Sequence, residues 1–593
     1  MTSKPRPFPL CRGGVHPVQA TKSNSRNHLV FLFLLLAVAG FASLVALRLK
    51  AQSQSTPTPP RTLYFLHGRI YTNDPQHPWA SAMAVREGRI ICAGGLEQVM
   101  LECGGGGDNV ETVQLAGHFV MPGFNDAHVH LGSAAADMLA IRLNGSASID
   151  ELQKRVADAV ATHKQGEWIT GSGWDHTLWP DNKFPNKQQL DAIAPKNPVL
   201  LTHISGHIAV ANSLALKLAE ITKDTPNPKG GEFERAEDGE LTGLLKEGPA
   251  IKLVEQYVPD PSPDERRRGI ELVLADAAKN GVTSVQDNSD WDDFLVYRDL
   301  REEGKLTVRI TEWLHFTTAL RELQNMRSEG GVSDPWLKTG ALKMVTDGAL
   351  GSRTAAMAAP YSDDPSASGI LIMDPDKLRQ MAIERDKAGF QIAFHAIGDR
   401  ANHVALDVFE AVAKANGPRD RRDRIEHAQV VAPDDFPRFA QLNVIASMQP
   451  SHQTSDMRWA DQRLGPDRVK GAYAWATMQK NGVRLAFGTD YDVEPISPFR
   501  GLYACVTREL PDGGPQGGWQ PQEKISLDDC IRAYTTGSAY AQFEEGRKGQ
   551  LKPGQYADFI VLSNDLTKVP PSEYLKTRVL RTVVGGRTVY QSQ

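Results

Sequence analysis

At 593 residues the chain is too long for a single small fold, and 41% hydrophobic and 23% charged residues mark an ordinary globular composition, not a disordered, collagenous or many-spanning membrane one. Its 66 Lys and Arg against 71 Asp and Glu leave a formal charge of −5, which argues against a charge-driven nucleic-acid binder. Five cysteines are too few for a disulfide scaffold and none forms a Cys-x-x-Cys pair, so metal chemistry here must use His, Asp, Glu or Lys.

In chain order, the first feature is the uncharged run 29–47, which as a helix would span about 28 Å, one bilayer core. Lys4, Arg6, Arg12, Lys22 and Arg26 precede it; Arg48 and Lys50 follow. The positive-inside rule then predicts a cytoplasmic leader over 1–28, a transmembrane signal anchor, and a membrane-tethered body in the periplasmic or extracellular space. The alternative is a cleaved signal peptide ending near Ala37-Val38-Ala39, with a secreted product. Residues 48–60 read as a polar, Pro-rich linker, leaving 61–593 as the body.

Short β-type runs at 63–70, 82–85 and 89–93, followed by glycines at 104–107, predict a small β-domain over 61–120. The same texture returns over 546–593, with apolar runs at 557–562 and 579–584, so both chain ends are expected to build one composite β-sandwich. Between them, over 121–545, eight strand-like runs alternate with helical stretches: 119–130, 283–287, 309–315, 341–347, 391–395, 424–427, 443–449 and 484–490. That count predicts a distorted α/β TIM barrel, whose chemistry belongs at the C-terminal ends of its strands. Residues from about 150 to 263 do not fit one βα unit and read as an insertion.

Several of these runs end in His or Asp. Strand alternation puts Asp126, His128 and His130 on one face at the end of the first run, directed into the barrel mouth. His395, His427 and Asp490 follow at intervals of one and two βα repeats of about 30 residues, which places them at the ends of strands five, six and eight. Each alone has an ordinary explanation, a buried His satisfied by backbone or an Asp capping a turn. Together they point to a divalent metal site of N and O ligands, with zinc the expected ion. Lys343 lies in the apolar strand-four run, where burial lowers an amine's pKa. As a neutral amine it could take up carbon dioxide as a carbamate and bridge two ions; snorkelling to the barrel end or pairing with Asp347 is the alternative.

These residues sit in longer motifs: Phe124-Asn125-Asp126-Ala127-His128-Val129-His130, Ser205-Gly206-His207 with Asn212-Ser213, Lys343 through Asp347-Gly348 to Arg353-Thr354, His395-Ala396-Ile397-Gly398-Asp399, Arg424-Ile425-Glu426-His427, Gln449-Pro450-Ser451-His452 and Gly488-Thr489-Asp490. With Gly549-Gln550-Leu551-Lys552-Pro553-Gly554 and Ala557-Asp558, the chain over nearly all of 61–593 resembles the metal-dependent amidohydrolase superfamily. The likeness is to the YtcJ-like branch, which includes N-substituted formamide deformylases. The resemblance implies a distorted barrel with a composite β-sandwich, one or two divalent ions on His128, His130, Lys343, His395, His427 and Asp490, and hydrolysis of a non-peptide C–N bond. It also makes homodimers an expectation. The chain departs from the pattern after Asp490, where Tyr491-Asp492-Val493 precede Glu494-Pro495, so a differently shaped loop is expected there.

The expected chemistry is attack on a small N-formyl or N-acyl amide by a metal-activated hydroxide, with Asp490 as the catalytic group that takes the water's proton and passes it to the leaving nitrogen. Deamination or cyclic-amide opening on the same site is the alternative enzyme reading; a non-catalytic ligand-binding barrel is the other. Arg353 and His207 are candidates to orient a substrate carbonyl or carboxylate, with His452 beside them. Asp126 and Asp399 are candidates to support ligand histidines. Trp174 and Trp179 either line an apolar substrate wall or pack within the insertion. Arg421, Arg422 and Arg424 read as a solvated face. Whether Cys92 and Cys103 pair is left open.

Overall fold

The computed structural model describes residues 61–103, 109–203, 207–228 and 230–593. The expected anchor at 29–47 lies outside these residues, as do the glycines at 104–107 and Ser205-Gly206. Among the described residues no helix is long and apolar enough to cross a membrane. The anchor, the membrane association and the extracytoplasmic placement that depended on it are therefore withdrawn.

Five strands open the described chain: β1 (Thr62–Tyr71), β2 (Trp79–Arg86), β3 (Arg89–Gly94), β4 (Val110–Gln114) and β5 (Phe119–Pro122). The barrel begins with β6 (Phe124–Val129). The insertion follows, with β7 (Ile141–Arg142), β8 (Ile169–Trp174), β9 (Val199–His203), β10 (Ile208–Ala211), β11 (Glu232–Arg235) and β12 (Leu241–Lys246). The barrel resumes with β13 (Val282–Asp287), β14 (Arg309–His315), β15 (Leu337–Val345), β16 (Ile392–Ala396), β17 (Arg424–His427), β18 (Ile445–Met448) and β19 (Leu485–Phe487). The chain closes with β20 (Phe559–Leu562), β21 (Val579–Val584) and β22 (Arg587–Gln591).

The two chain ends share one sheet, ordered β22-β21-β20-β5-β1-β2-β3 with β4 beside β1. The join is antiparallel, Phe559 opposite Pro122 through Leu562 opposite Phe119. Phe65, Met83 and Val85 from the first half pack with Phe559, Val561 and Val583 from the second in one apolar core. The predicted run 119–130 is thus two strands of different sheets. Pro122-Gly123 breaks it, and Gly123 is required there because a Cβ would stand 2.2 Å from Thr283 Cγ2.

The barrel strands are parallel in the order β19-β18-β17-β16-β15-β14-β13-β6. Their near-continuous apolar burial is that of a sheet covered on both faces. The outer helices carry their own start signals: Pro263–Lys279 begins with a Ser262/Glu265 capping box and turns Ile270, Val273, Leu274 and Ala277 inward. No ladder joins β19 to β6; the seam closes just beyond them. Asp490 N–H donates to His128 O at 2.8 Å, His130 N–H to Tyr491 O at 2.5 Å, and Asp126 accepts from Thr489 N at 2.9 Å and Thr489 Oγ1 at 2.6 Å. Gly488 lets the strands approach, since a Cβ there would meet His128 N at 2.6 Å.

Inside, Trp313 is fully buried against Ala341 and Ala393 and fills the barrel centre. The insertion has its own sheet, ordered β11-β12-β10-β9-β8-β7. Disulfides join Cys92 to Cys103 and Cys505 to Cys530, with Cα atoms 6.2 and 6.7 Å apart.

Candidate metal centre

His128 is the last but one residue of β6, and His130 follows the strand directly, just before the helix Leu131–Leu139. Opposite them, just past β19, stands Asp490. Its Oδ1 lies 3.1 Å from His130 Nε2 and 3.4 Å from His128 Nε2; its Oδ2 lies 3.4 Å from His452 Nε2 and 3.9 Å from His427 Nδ1. Two overlapping donor groups result, His128–His130–Asp490 and His427–His452–Asp490, each with ligand atoms within 4.8 Å of one another. Lys343 Nζ stands 3.0 Å from His128 Nε2. Two of these positions need unusual backbone: His427 has φ +71° and Asp490 φ +59°, left-handed values that turn each side chain off its strand into the mouth.

The imidazoles are oriented from behind. His128 Nδ1 bonds Glu426 Oε2 at 2.7 Å, which leaves its Nε2 lone pair facing Asp490 as the ligating atom. His427 is held on the side nearest Asp490, where its Nδ1 bonds Gln449 Oε1 at 2.8 Å. Glu426 is itself gripped by Arg424, whose Nε donates to Oε1 at 2.5 Å. Arg424 also bonds Gln286, Ser447 Oγ and Ala127 O and lies over the Trp313 ring. The expected solvated face at Arg421, Arg422 and Arg424 is therefore wrong for Arg424, which is fully buried: as the first residue of β17 it points into the barrel interior. Arg421 and Arg422 pair with Asp386 and with Glu545 and Asp420.

Burial sets the electrostatics. It lowers His128 to about 4, helped by the Lys343 ammonium, and holds His427 well below the usual imidazole range, helped by His395. Lys343 is pushed down to about 8 by burial, against the pull of Glu426 and Asp490. Burial works against the charges of Glu426 and Asp490 too, but their partners outweigh it. Arg424 and His128 bring Glu426 down to about 2, and the surrounding imidazoles hold Asp490 well below the ordinary carboxylate range.

The residues fit a divalent ion. Asp490 Oδ1 and His452 Nε2 are buried without a well-formed hydrogen bond, although imidazole nitrogens stand 3.1 and 3.4 Å from the first and Asp490 Oδ2 3.4 Å from the second. Unsatisfied, converging imidazole nitrogens and a carboxylate are what a zinc-type ion requires, and no thiolate takes part.

Not every predicted site residue joins this group. His395 lies beside it, its ring 4.5 Å from that of His427, but its Nε2 faces Asp347 Oδ1 at 3.4 Å and Gly348 O at 3.3 Å. Asp126 serves the barrel seam, and burial pushes it up to about 7 despite Thr489. Asp399 accepts from Ala358 N at 2.7 Å and so fixes a loop, with no bond to a ligand histidine among the described residues. Arg353 is engaged by Asp363 through two hydrogen bonds, and His207, more than half exposed, meets Glu247 at 2.9 Å. Trp174 is fully buried in the insertion's own core, its indole N–H on Leu201 O at 2.9 Å; Trp179 packs beside it. Their contacts are those of packing, not of a substrate wall. The loop after Asp490 is tied down by Ser133 Oγ on Asp492 at 2.6 Å.

Sequence reasoning missed Glu426, Gln449 and Asp347. Glu426 was detectable, because alternation puts it on the same interior face as Arg424, two residues earlier. Gln449 gave no comparable signal, and Asp347, at the end of its run, was considered only as a partner for Lys343.

A family model described as "Amidohydrolase family" matches residues 111–590, and the chain belongs to that family. It is 38% identical over 573 residues to Protein LONG AFTER FAR-RED 3 of Arabidopsis thaliana, covering 94% of this chain and 97% of that protein. It is 31% identical to the putative amidohydrolase YtcJ of Bacillus subtilis, covering 88% and 98%. N-substituted formamide deformylase of Arthrobacter pascens is 28% identical, covering 90% and 98%. Among solved structures, an uncharacterized metal-dependent hydrolase from Pyrococcus horikoshii superposes with a TM-score of 0.71 at 30% identity, over 86% of this chain and 99% of that one.

Proposed function

We propose that this amidohydrolase-family chain hydrolyses a non-peptide C–N bond in a small N-formyl or N-acyl amide. One observation carries the reading: the Asp490 carboxylate stands between two pairs of imidazoles at the C-terminal mouth of a parallel barrel, where such folds place their chemistry. The likeness to a formamide deformylase over 90% of the chain supports the choice of bond.

His128, His130 and Asp490 would hold one ion and His427 with His452 would flank a second, with zinc the proposed metal. A bound divalent ion supplies Lewis acidity for the carbonyl and brings a water's pKa toward about 7. Asp490 accepts the proton of the attacking water and returns it to the departing nitrogen, its low pKa keeping it ionised to begin the cycle. Glu426 keeps His128 in the tautomer that presents Nε2 to an ion, and Gln449 orients the His427 ring. Lys343, as an ammonium 3.0 Å from His128 Nε2, would compete with a cation there. Its pKa, lowered to about 8, raises the share of neutral amine that could take up carbon dioxide as a carbamate.

The test is a hydrolysis screen of the zinc-supplemented full-length chain against N-formyl, N-acyl and cyclic amides, with product analysis. Release of a carboxylate and an amine supports the proposal. Ammonia release would assign a deaminase instead, and absence of turnover across the panel would remove the amide reading.

A further inference from the structure

The insertion carries a cluster of metal-ligating side chains of its own. β8 and β9 run parallel and end together, Trp174 opposite His203 after a register shift past Ser172. Asp175 and His176 follow β8 directly, so one strand end delivers two donors and its neighbour the third. Donor atoms of all three residues lie within 4.8 Å of one another, and His203 Nε2 is 3.8 Å from Asp175 Oδ1. Ligands at about 2.0–2.1 Å from a tetrahedral zinc ion are roughly 3.3 Å apart, so modest side-chain rotation would close the set.

The surroundings restrict these groups to that arrangement. His176 lies on Phe184 with ring centroids 4.0 Å apart, and His203 meets the buried Trp174 edge-on at 4.6 Å. Asp175 Oδ1, the oxygen facing His203, accepts from Thr177 N at 2.9 Å and Thr177 Oγ1 at 2.7 Å, which fixes the carboxylate. His176 Nδ1 is buried with no hydrogen-bond partner among the described residues. A buried, uncompensated ring nitrogen is costly unless something ligates it.

We propose that Asp175, His176 and His203 form a second divalent transition-metal site, built entirely within the insertion and open to a water or exogenous ligand at its remaining position. Two imidazoles and one carboxylate favour zinc over magnesium or calcium, which prefer all-oxygen sets. An ion held there clasps the ends of β8 and β9. The site does not depend on the reaction assigned to the barrel.

Zinc per chain is measured after loading and gel filtration for the full-length protein, His176→Ala and His203→Ala, with cobalt(II) absorption in parallel. The site requires one zinc equivalent fewer in each variant and loss of one tetrahedral cobalt component, while the barrel's own equivalents remain. Equal zinc content in all three proteins at unchanged melting temperature overturns the proposal. Should a variant misfold, anomalous scattering at the zinc edge from crystals of the loaded, unmutated chain decides: a peak among the three side chains supports the site, and none there rejects it.

Discussion

Glu426 Oε2 accepts the Nδ1 proton of His128 at 2.7 Å while both side chains are completely buried. In Glu426→Gln this carboxylate is lost to the imidazole and to Arg424 at once. Zinc affinity should fall by about 10–100-fold, the usual cost of removing the group that orients a ligand. The melting temperature should fall as well, because an unpaired buried arginine costs about 3–5 kcal/mol. Competitive zinc titration and thermal melts of the metal-free protein separate the two effects.

Asp490→Asn keeps the shape of the mouth but removes the proton acceptor. On the substrate found by the amide screen, kcat should drop by roughly 10²–10⁴-fold with little change in KM. Near-wild-type turnover would remove Asp490 from the proton-transfer role.

Gly488→Ala tests the barrel seam. The added methyl would meet His128 N at 2.6 Å and Asp126 Oδ1 at 2.7 Å, and neither the strand backbone nor the buried carboxyl can easily retreat. Destabilisation of about 1–3 kcal/mol is expected from the overpacking, together with weaker zinc binding as His128 shifts. Urea denaturation and zinc titration read these two outcomes; an unchanged unfolding midpoint would mean the seam is looser than its hydrogen bonds imply.

The acid limb of stability should depend on Glu544, buried between Lys338 at 2.8 Å and Lys548 at 2.9 Å. Burial alone would raise this carboxyl, but the two ammonium groups bring it down to about 2 from an ordinary 4.5. A depressed folded-state pKa gives stability that is present above about pH 4.5 and lost as the pH falls toward 2, on the order of 3 kcal/mol. Lys338, drawn down to about 8 by burial, stays charged throughout that window. Denaturation curves at pH steps across it should slope less steeply for Glu544→Gln.

Much of the barrel was legible because its signals are local. Runs of parallel-strand residues are apolar end to end, and 309–315 and 424–427 coincide with β14 and β17 to the residue. His128, His130, His427 and Asp490 stood at strand ends where polar side chains need a reason. What escaped were relationships made by tertiary contact. The break at Gly123 matters only because Thr283 presses on it from β13. Arg424 looked solvated because it belongs to one charged run with Arg421 and Arg422, yet those two side chains are only 11% exposed and the strand register turns Arg424 fully inward. His395 occupies its predicted strand end, yet Asp347 draws its Nε2 aside. His452 was expected beside the substrate and not on the metal for the opposite reason: it lies on the helix Pro450–Asp456, beyond the end of its strand.

The sheet shared by the two chain ends also sets an order of events during synthesis. Arg69 on β1 meets Asp565 at 2.5 Å, a partner 496 positions later in the chain. β5 must therefore leave the ribosome and wait, one edge unpaired, while the entire barrel is translated before β20 arrives to cover it. Such distant pairing is slow to form and leaves an exposed edge in the meantime. The chain's final fifty or so residues act as a latch that closes over the first strands only after the catalytic barrel exists, so nascent chains stalled just short of β20 should be the ones most in need of a chaperone.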